Sequence, residues 1–302
     1  MDERAEGGWR PAAMGAAAVG AAAAGVAAAC AIHRADPHVV RTDAGPALVR
    51  TIRGPEGEPV RVLRQGGVYQ SATYLDERRF EPVFAYYRGF DAMFEAEPGM
   101  REELGHGIER VLLIGGGGFS YPKHLLTSRS GIRLDVVEAD AAIVEAARRW
   151  FFLGELQLRL AHPLLSQGNS LDIYSADGRA YLSVAQARGA RYQAIINDAF
   201  EGREPVRSLA TLEAARLAKA CLARDGLYLV NVVSEGRGTD LSFLRSEVAT
   251  LLEAFSFVHV LDTTDERFGG EFNYLVIATD GTYAFPDDIP YDEEFPSHVL
   301  AD

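Results

Sequence analysis

The chain has 302 residues, 48% of them hydrophobic, which is enough for one substantial core or for a large domain with a small companion. Its 30 Lys and Arg against 43 Asp and Glu leave a net charge of −13, the wrong sign for tracking phosphates, so no nucleic-acid partner is expected. A charged fraction of 24% and two distant cysteines, Cys30 and Cys221, exclude a disordered chain, a disulfide scaffold and a cysteine-based metal site, and they suit a reducing compartment.

Residues 11–32 carry no charge and are mostly Ala and Gly, about the length of a bilayer-spanning helix. Three readings fit them: a membrane anchor, a cleaved leader whose small residues end near Ala29, or an alanine-rich disordered leader. The first would tether a cytoplasmic domain through residues 11–32. Arg4 and Arg10 before the run and Arg34 and Arg41 after it give no orientation. Residues 1–35 are therefore set apart. The Pro-, Gly- and Arg-bearing stretch 36–58 reads as a linker that runs into short strands at 47–53, 60–64 and 68–72. These strands form a small β-hairpin module within 36–105. Asp76 to Arg79 reads as a solvated turn of helix.

From residue 106 the pattern changes. Strands are expected at 111–114, 133–138, 171–176, 192–197, 227–233, 257–261 and 274–279, with helices at 139–152, 209–222 and 241–255. Short apolar strands alternating with helices imply parallel strands joined by crossovers. Residues 262–272 leave no room for a crossover helix, so the last strand must run antiparallel to its neighbour. The expected fold is α/β: a Rossmann-like, seven-stranded doubly wound sheet with a reversed last strand over 106–285, preceded by the small β-hairpin module. An acidic, proline-bearing tail over 286–302 wraps the surface.

Such sheets bind ligands beyond the carboxyl ends of their strands, where strand order reverses. Gly115, Gly116, Gly117 and Gly118 follow the first strand, and glycines let backbone approach a ligand closely. Glu138 ends the second strand, 21 residues past Gly117, where an acid can accept hydrogen bonds from both ribose hydroxyls; a helix cap is the other use for an acid here, and Asp140 could also serve it. Asp177 and Gly178 end the third strand, where the acid could meet an adenine amino group or simply close a turn. Asp198 and Glu201 follow the fourth, at the position that faces the reacting centre. No phosphate-binding GxxxxGK[ST] loop and no GxSxG elbow occurs.

The segments 111–118, 136–138, 176–178 and 195–201, with the upstream Gln65-Gly-Gly-Val-Tyr-Gln70-Ser and Tyr86-Tyr87, resemble the spermidine synthase family of polyamine aminopropyltransferases. So do Gly269-Gly270 and Phe272 before the last strand. The resemblance covers roughly residues 45–280. It implies a methyltransferase-like fold, a homodimer, decarboxylated S-adenosylmethionine as co-substrate and a small-molecule amine as acceptor. It also implies that Gln70, Gly115, Gly116, Gly117, Glu138, Asp177 and Gly178 bind the nucleoside. Asp198 corresponds to the first acid of the family's Asp-x-x-Asp pattern and would be the catalytic base, and Glu201 stands for the second. The chain departs from the family at Gly118, where an acid is usual, at Tyr87-Arg88 in place of His-Glu, and at Arg203, whose charge opposes a dication.

Three functions remain open on these residues: aminopropyl transfer, methyl transfer from intact S-adenosylmethionine, and a non-catalytic, membrane-tethered family member. No metal is expected, because the seven histidines are scattered without ligand spacing.

Overall fold

The computed structural model describes residues 36–202, 204–234, 240–265 and 272–302; the charge-free stretch 11–32, Arg203 and Gly269-Gly270 lie outside the described residues. Among the described residues no helix is long and apolar enough to cross a membrane.

Four strands, β1 (His38–Thr42), β2 (Gly45–Arg53), β3 (Pro59–Gln65) and β4 (Val68–Tyr74), form one sheet in chain order. This corrects the expected linker at 36–58, whose first part is β1 and the turn into β2. Only Val40 of β1 is buried, so the five-residue strand has no apolar period to read. Gly45 opens β2 at φ +98°, a conformation that favours glycine. The stretch 76–79 is also corrected: it forms turns held by ion pairs rather than a solvated helical turn. Asp76 pairs with Arg78 at 2.7 Å, and Arg79 reaches Glu155 at 2.6 Å.

The large sheet has the order β12-β13-β11-β8-β5-β6-β7, built from β5 (Arg110–Ile114), β6 (Arg133–Glu138), β7 (Ser170–Ser175), β8 (Tyr192–Asn197), β11 (Leu222–Ser234), β12 (Phe257–Asp262) and β13 (Phe272–Thr279). All neighbours are parallel except β13, which runs antiparallel to both β11 and β12. The reversed strand is therefore the last in sequence and the second from the edge. Its placement follows from the short connection after β12, which permits only a reversal. A separate two-stranded hairpin, β9 (Phe200–Glu201) with β10 (Glu204–Pro205), leaves the end of β8.

Alternate residues of the central strands enter two cores. Val111, Leu113, Ala194 and Ile196 face one side with the small sheet, while Leu112, Ile114 and Ile195 face the other. Burial on both faces is what makes these strands nearly continuous apolar runs. The expected helix at 139–152 is Ala141–Trp150, and a second helix that was not expected, Leu153–Ala161, follows after Phe152 breaks the run at φ +63°. Helices at Ser120–Ser128 and Gly178–Ala187 supply the crossovers that the sequence pattern left unassigned.

Candidate functional site

The chain leaves β5 for β6 and β7 on one side and returns to β8 and β11 on the other, so the strand order reverses between β5 and β8. The carboxyl end of β5 is tied to those of β8 and β6. Asp198 N donates to Ile114 O at 2.8 Å, and Gly115 N donates to Val137 O at 2.9 Å. Gly115 sits at φ +97°, and a Cβ there would lie 2.3 Å from the Asp198 carbonyl oxygen. Only glycine allows the two strand ends to meet this closely.

A cavity of about 460 Å³ opens over these tips. It takes Gly115 and Gly117 from the glycine run, Glu138 from β6, Asp177 and Gly178 after β7, Asp198 and Glu201 after β8, and Gln70 from β4. Gly116, expected to bind ligand, is not in the lining: its Cβ position faces the Phe119 ring at 2.9 Å, behind the wall. Six lining residues are acidic (Asp43, Glu138, Asp140, Asp177, Asp198 and Glu201), and none of the described lining residues is Lys or Arg. Such a field attracts cations. The cavity volume is ordinary for a small-ligand site.

Glu138 is half-buried and fixed by backbone. Its Oε2 accepts from Gly116 N at 2.9 Å and Gly117 N at 3.0 Å, and its Oε1 accepts from Asp140 N at 3.0 Å. Burial pushes its carboxyl above the usual range, and the three N–H groups pull against that shift. The two acids near the start of the helix Ala141–Trp150 divide their work. Asp140 caps the helix, its Oδ1 accepting from Ala142 N at 2.8 Å, while its Oδ2 accepts from Asp43 N in the β1–β2 turn at 2.6 Å. Glu138 is thereby left facing the cavity.

Asp177 lines the cavity and also starts a helix. Its Oδ1 caps the helix Gly178–Ala187 by accepting from Ala180 N at 2.8 Å. Gly178 has no room for a side chain, since a Cβ would lie 2.5 Å from Ile114 Cγ2. Gln70 lines the cavity with its amide turned to the β9–β10 turn, Nε2 donating to Gly202 O at 2.9 Å. Glu201 is exposed on that hairpin.

Asp198 is half-buried at the cavity's inner end. Burial pushes its carboxyl up to about 7 from an ordinary 3.8, against opposing hydrogen bonds from Asn231 and Tyr86. The Asn231 amide donates to Asp198 Oδ1 at 2.7 Å. Tyr87 is buried beside it and lines the cavity, its ring 4.1 Å from that of Tyr86. Burial first, and then the Asp198 charge, raise the Tyr87 hydroxyl far above the ordinary phenol range. Asn231 was missed by sequence reasoning, although a lone amide inside the apolar run Leu227–Val233 was a readable signal. Among the described residues, no group of three or more His, Cys, Asp or Glu side chains could hold a metal ion.

Residues 97–237 match the spermine/spermidine synthase domain model. The chain is 26% identical over 176 residues to the polyamine aminopropyltransferase of Vibrio vulnificus, a stretch covering 58% of this chain and 52% of that protein. It is also 26% identical over 174 residues to the eEF1A lysine and N-terminal methyltransferase of Mus musculus, covering 55% of this chain and 22% of that protein. The chain thus spans about half, or less, of the length of the curated relatives it matches. In fold it is similar to a probable spermidine synthase from Corynebacterium glutamicum, with a TM-score of 0.60 at 20% identity over 82% of this chain and 81% of that one. A spermidine synthase solved with the transition-state analogue AdoDATO gives a TM-score of 0.60 at 18% identity, over 87% of this chain and 80% of that one.

Proposed function

We propose, for a chain whose residues 97–237 match the spermine/spermidine synthase domain model, that the cavity binds an S-adenosylmethionine-type nucleoside and that the protein transfers an aminopropyl group from it to a small amine. The observation that carries this reading is the placement of Glu138 and Asp198 on the walls of one acidic cavity at the strand-order reversal. Glu138 would accept the ribose hydroxyls with the lone pairs its backbone bonds leave free. Gly115 and Gly117 would let the nucleoside approach the backbone, and Asp177, Gly178 and Gln70 would close around it.

A carboxyl poised near 7 can take a proton at neutral pH. Asp198 would remove it from the ammonium of the acceptor. The freed nitrogen lone pair then attacks the carbon next to the sulfonium, the C–S bond breaks, and its electrons stay on sulfur to leave methylthioadenosine. Glu201 at the rim would assist by holding the cationic acceptor. Proximity of donor and acceptor in one site supplies much of the rate.

The test is product analysis with both sulfonium donors and a panel of diamines. Release of methylthioadenosine from decarboxylated S-adenosylmethionine is expected. S-adenosylhomocysteine from intact S-adenosylmethionine would instead assign methyl transfer, and no product or nucleoside binding at all would leave a non-catalytic protein.

A further inference from the structure

The cavity wall formed by Gly178 and the turn at 206–209 is held from behind by a segment more than ninety residues further along the chain. Val206 and Leu209 line the cavity, and Leu209 lies against Gly178, its Cδ1 3.1 Å from where a Cβ would stand. The turn itself is a single 3-10 segment, Arg207–Leu209, a form with little stability of its own.

Arg179, the residue after Gly178, reaches across to it. Its Nη1 donates to Ser208 O at 2.6 Å and to Thr211 Oγ1 at 3.1 Å. The same guanidinium is gripped by Asp302, Nη1 to Oδ1 at 3.1 Å and Nη2 to Oδ2 at 2.8 Å. Thr211 Oγ1 donates to Asp302 Oδ1 at 2.7 Å, and Leu212 N donates to Leu300 O at 2.8 Å. A two-pronged carboxylate–guanidinium contact fixes orientation as well as distance. Arg179 and Asp302 touch nothing inside the cavity, yet they join both halves of its wall.

We infer that Arg179 and Asp302 are positioning residues that clamp the 206–211 turn against Gly178 and so set the width of the nucleoside cavity on that side. The inference rests on the nucleoside-binding reading above for its effect on affinity, but not for the clamp itself.

Two measurements test it separately. Calorimetry with methylthioadenosine on Arg179→Gln, Asp302→Ala and the double variant is expected to show about 3- to 10-fold weaker binding in each single variant, with the double variant no weaker than either. Asp302→Glu should recover part of the loss. In turnover assays the nucleoside KM should rise by the same factor while kcat is retained, a split that general destabilisation would not produce. Wild-type affinity in both single variants, or additive losses in the double variant, would overturn the clamp.

Hydrogen exchange on ligand-free protein provides the second measurement. Amides at 206–212 should exchange faster in Asp302→Ala, with the β5 and β8 amides unchanged, and unaltered exchange at 206–212 would also overturn the inference. If wild-type protein binds no nucleoside, the functional reading fails, and the exchange result alone decides the clamp.

Discussion

Asn231 donates its side-chain amide to Asp198 across 2.7 Å, joining β11 to the loop that follows β8. The bond opposes the burial that raises the Asp198 carboxyl to about 7, since it favours the ionised form. Removing it must move that carboxyl higher still. In Asn231→Ala the acid limb of the kcat/KM profile is expected to shift upward in pH, with a rate at pH 7 several-fold lower and recovering toward pH 8–9. An unmoved limb would separate Asn231 from the titration of Asp198.

Asp198→Asn should abolish turnover while leaving nucleoside binding intact. It should also stabilise the fold in a definite pH window. The folded carboxyl titrates at about 7 and the unfolded one near 3.8, so the native state binds more protons between those values. Wild-type stability from this group is full below 3.8 and is lost as pH rises to about 7. The asparagine variant escapes that loss, by about 1–4 kcal/mol at pH 8 and by almost nothing at pH 4. Urea unfolding of both proteins at the two pH values measures it.

Glu138→Ala removes both the proposed ribose acceptor and the partner of the Gly116 and Gly117 amides. Nucleoside affinity should fall by about 1–3 kcal/mol, the scale of hydrogen bonds to a charged group. Calorimetry with methylthioadenosine gives the number, and an unchanged dissociation constant would place the ribose elsewhere.

Gly115→Ala places a methyl group 2.3 Å from the Asp198 carbonyl oxygen at a backbone φ of +97°. Strain and overlap together should cost about 2–4 kcal/mol. Thermal denaturation should show the loss, and because the overlap falls on Asp198, turnover should fall further than stability.

Lys123 is fully buried, its Nζ donating to Thr73 Oγ1 at 2.8 Å and Arg79 O at 2.9 Å. Burial lowers its ammonium from 10.5 to about 7, so the unfolded chain binds more protons between those values. The contribution of this group to stability is present above 10.5 and is lost as pH falls to about 7. In Lys123→Met, Thr73 Oγ1 still donates to Arg79 O at 3.0 Å, so no buried partner is stranded. Relative to wild type, the methionine variant should gain about 1–4 kcal/mol as pH drops from 10 to 7, read by urea unfolding across that range.

The strands of the large sheet, the reversal of the last one, the glycine run and the acids Glu138 and Asp198 at strand ends were all legible in the residues. Each is a local signal: an apolar run of strand length, a connection too short for a helix, a turn that needs bare backbone. The division of labour between Glu138 and Asp140, the capping bond of Asp177 Oδ1, the withdrawal of Gly116 behind Phe119 and the hold of Asn231 on Asp198 were decided only by folding. So was the pairing of Arg179 with Asp302, 123 residues apart. Periodicity reports which face a residue turns toward the core, whereas a polar side chain's partner is set by whichever distant segment packs beside it. That choice is made by the whole chain at once.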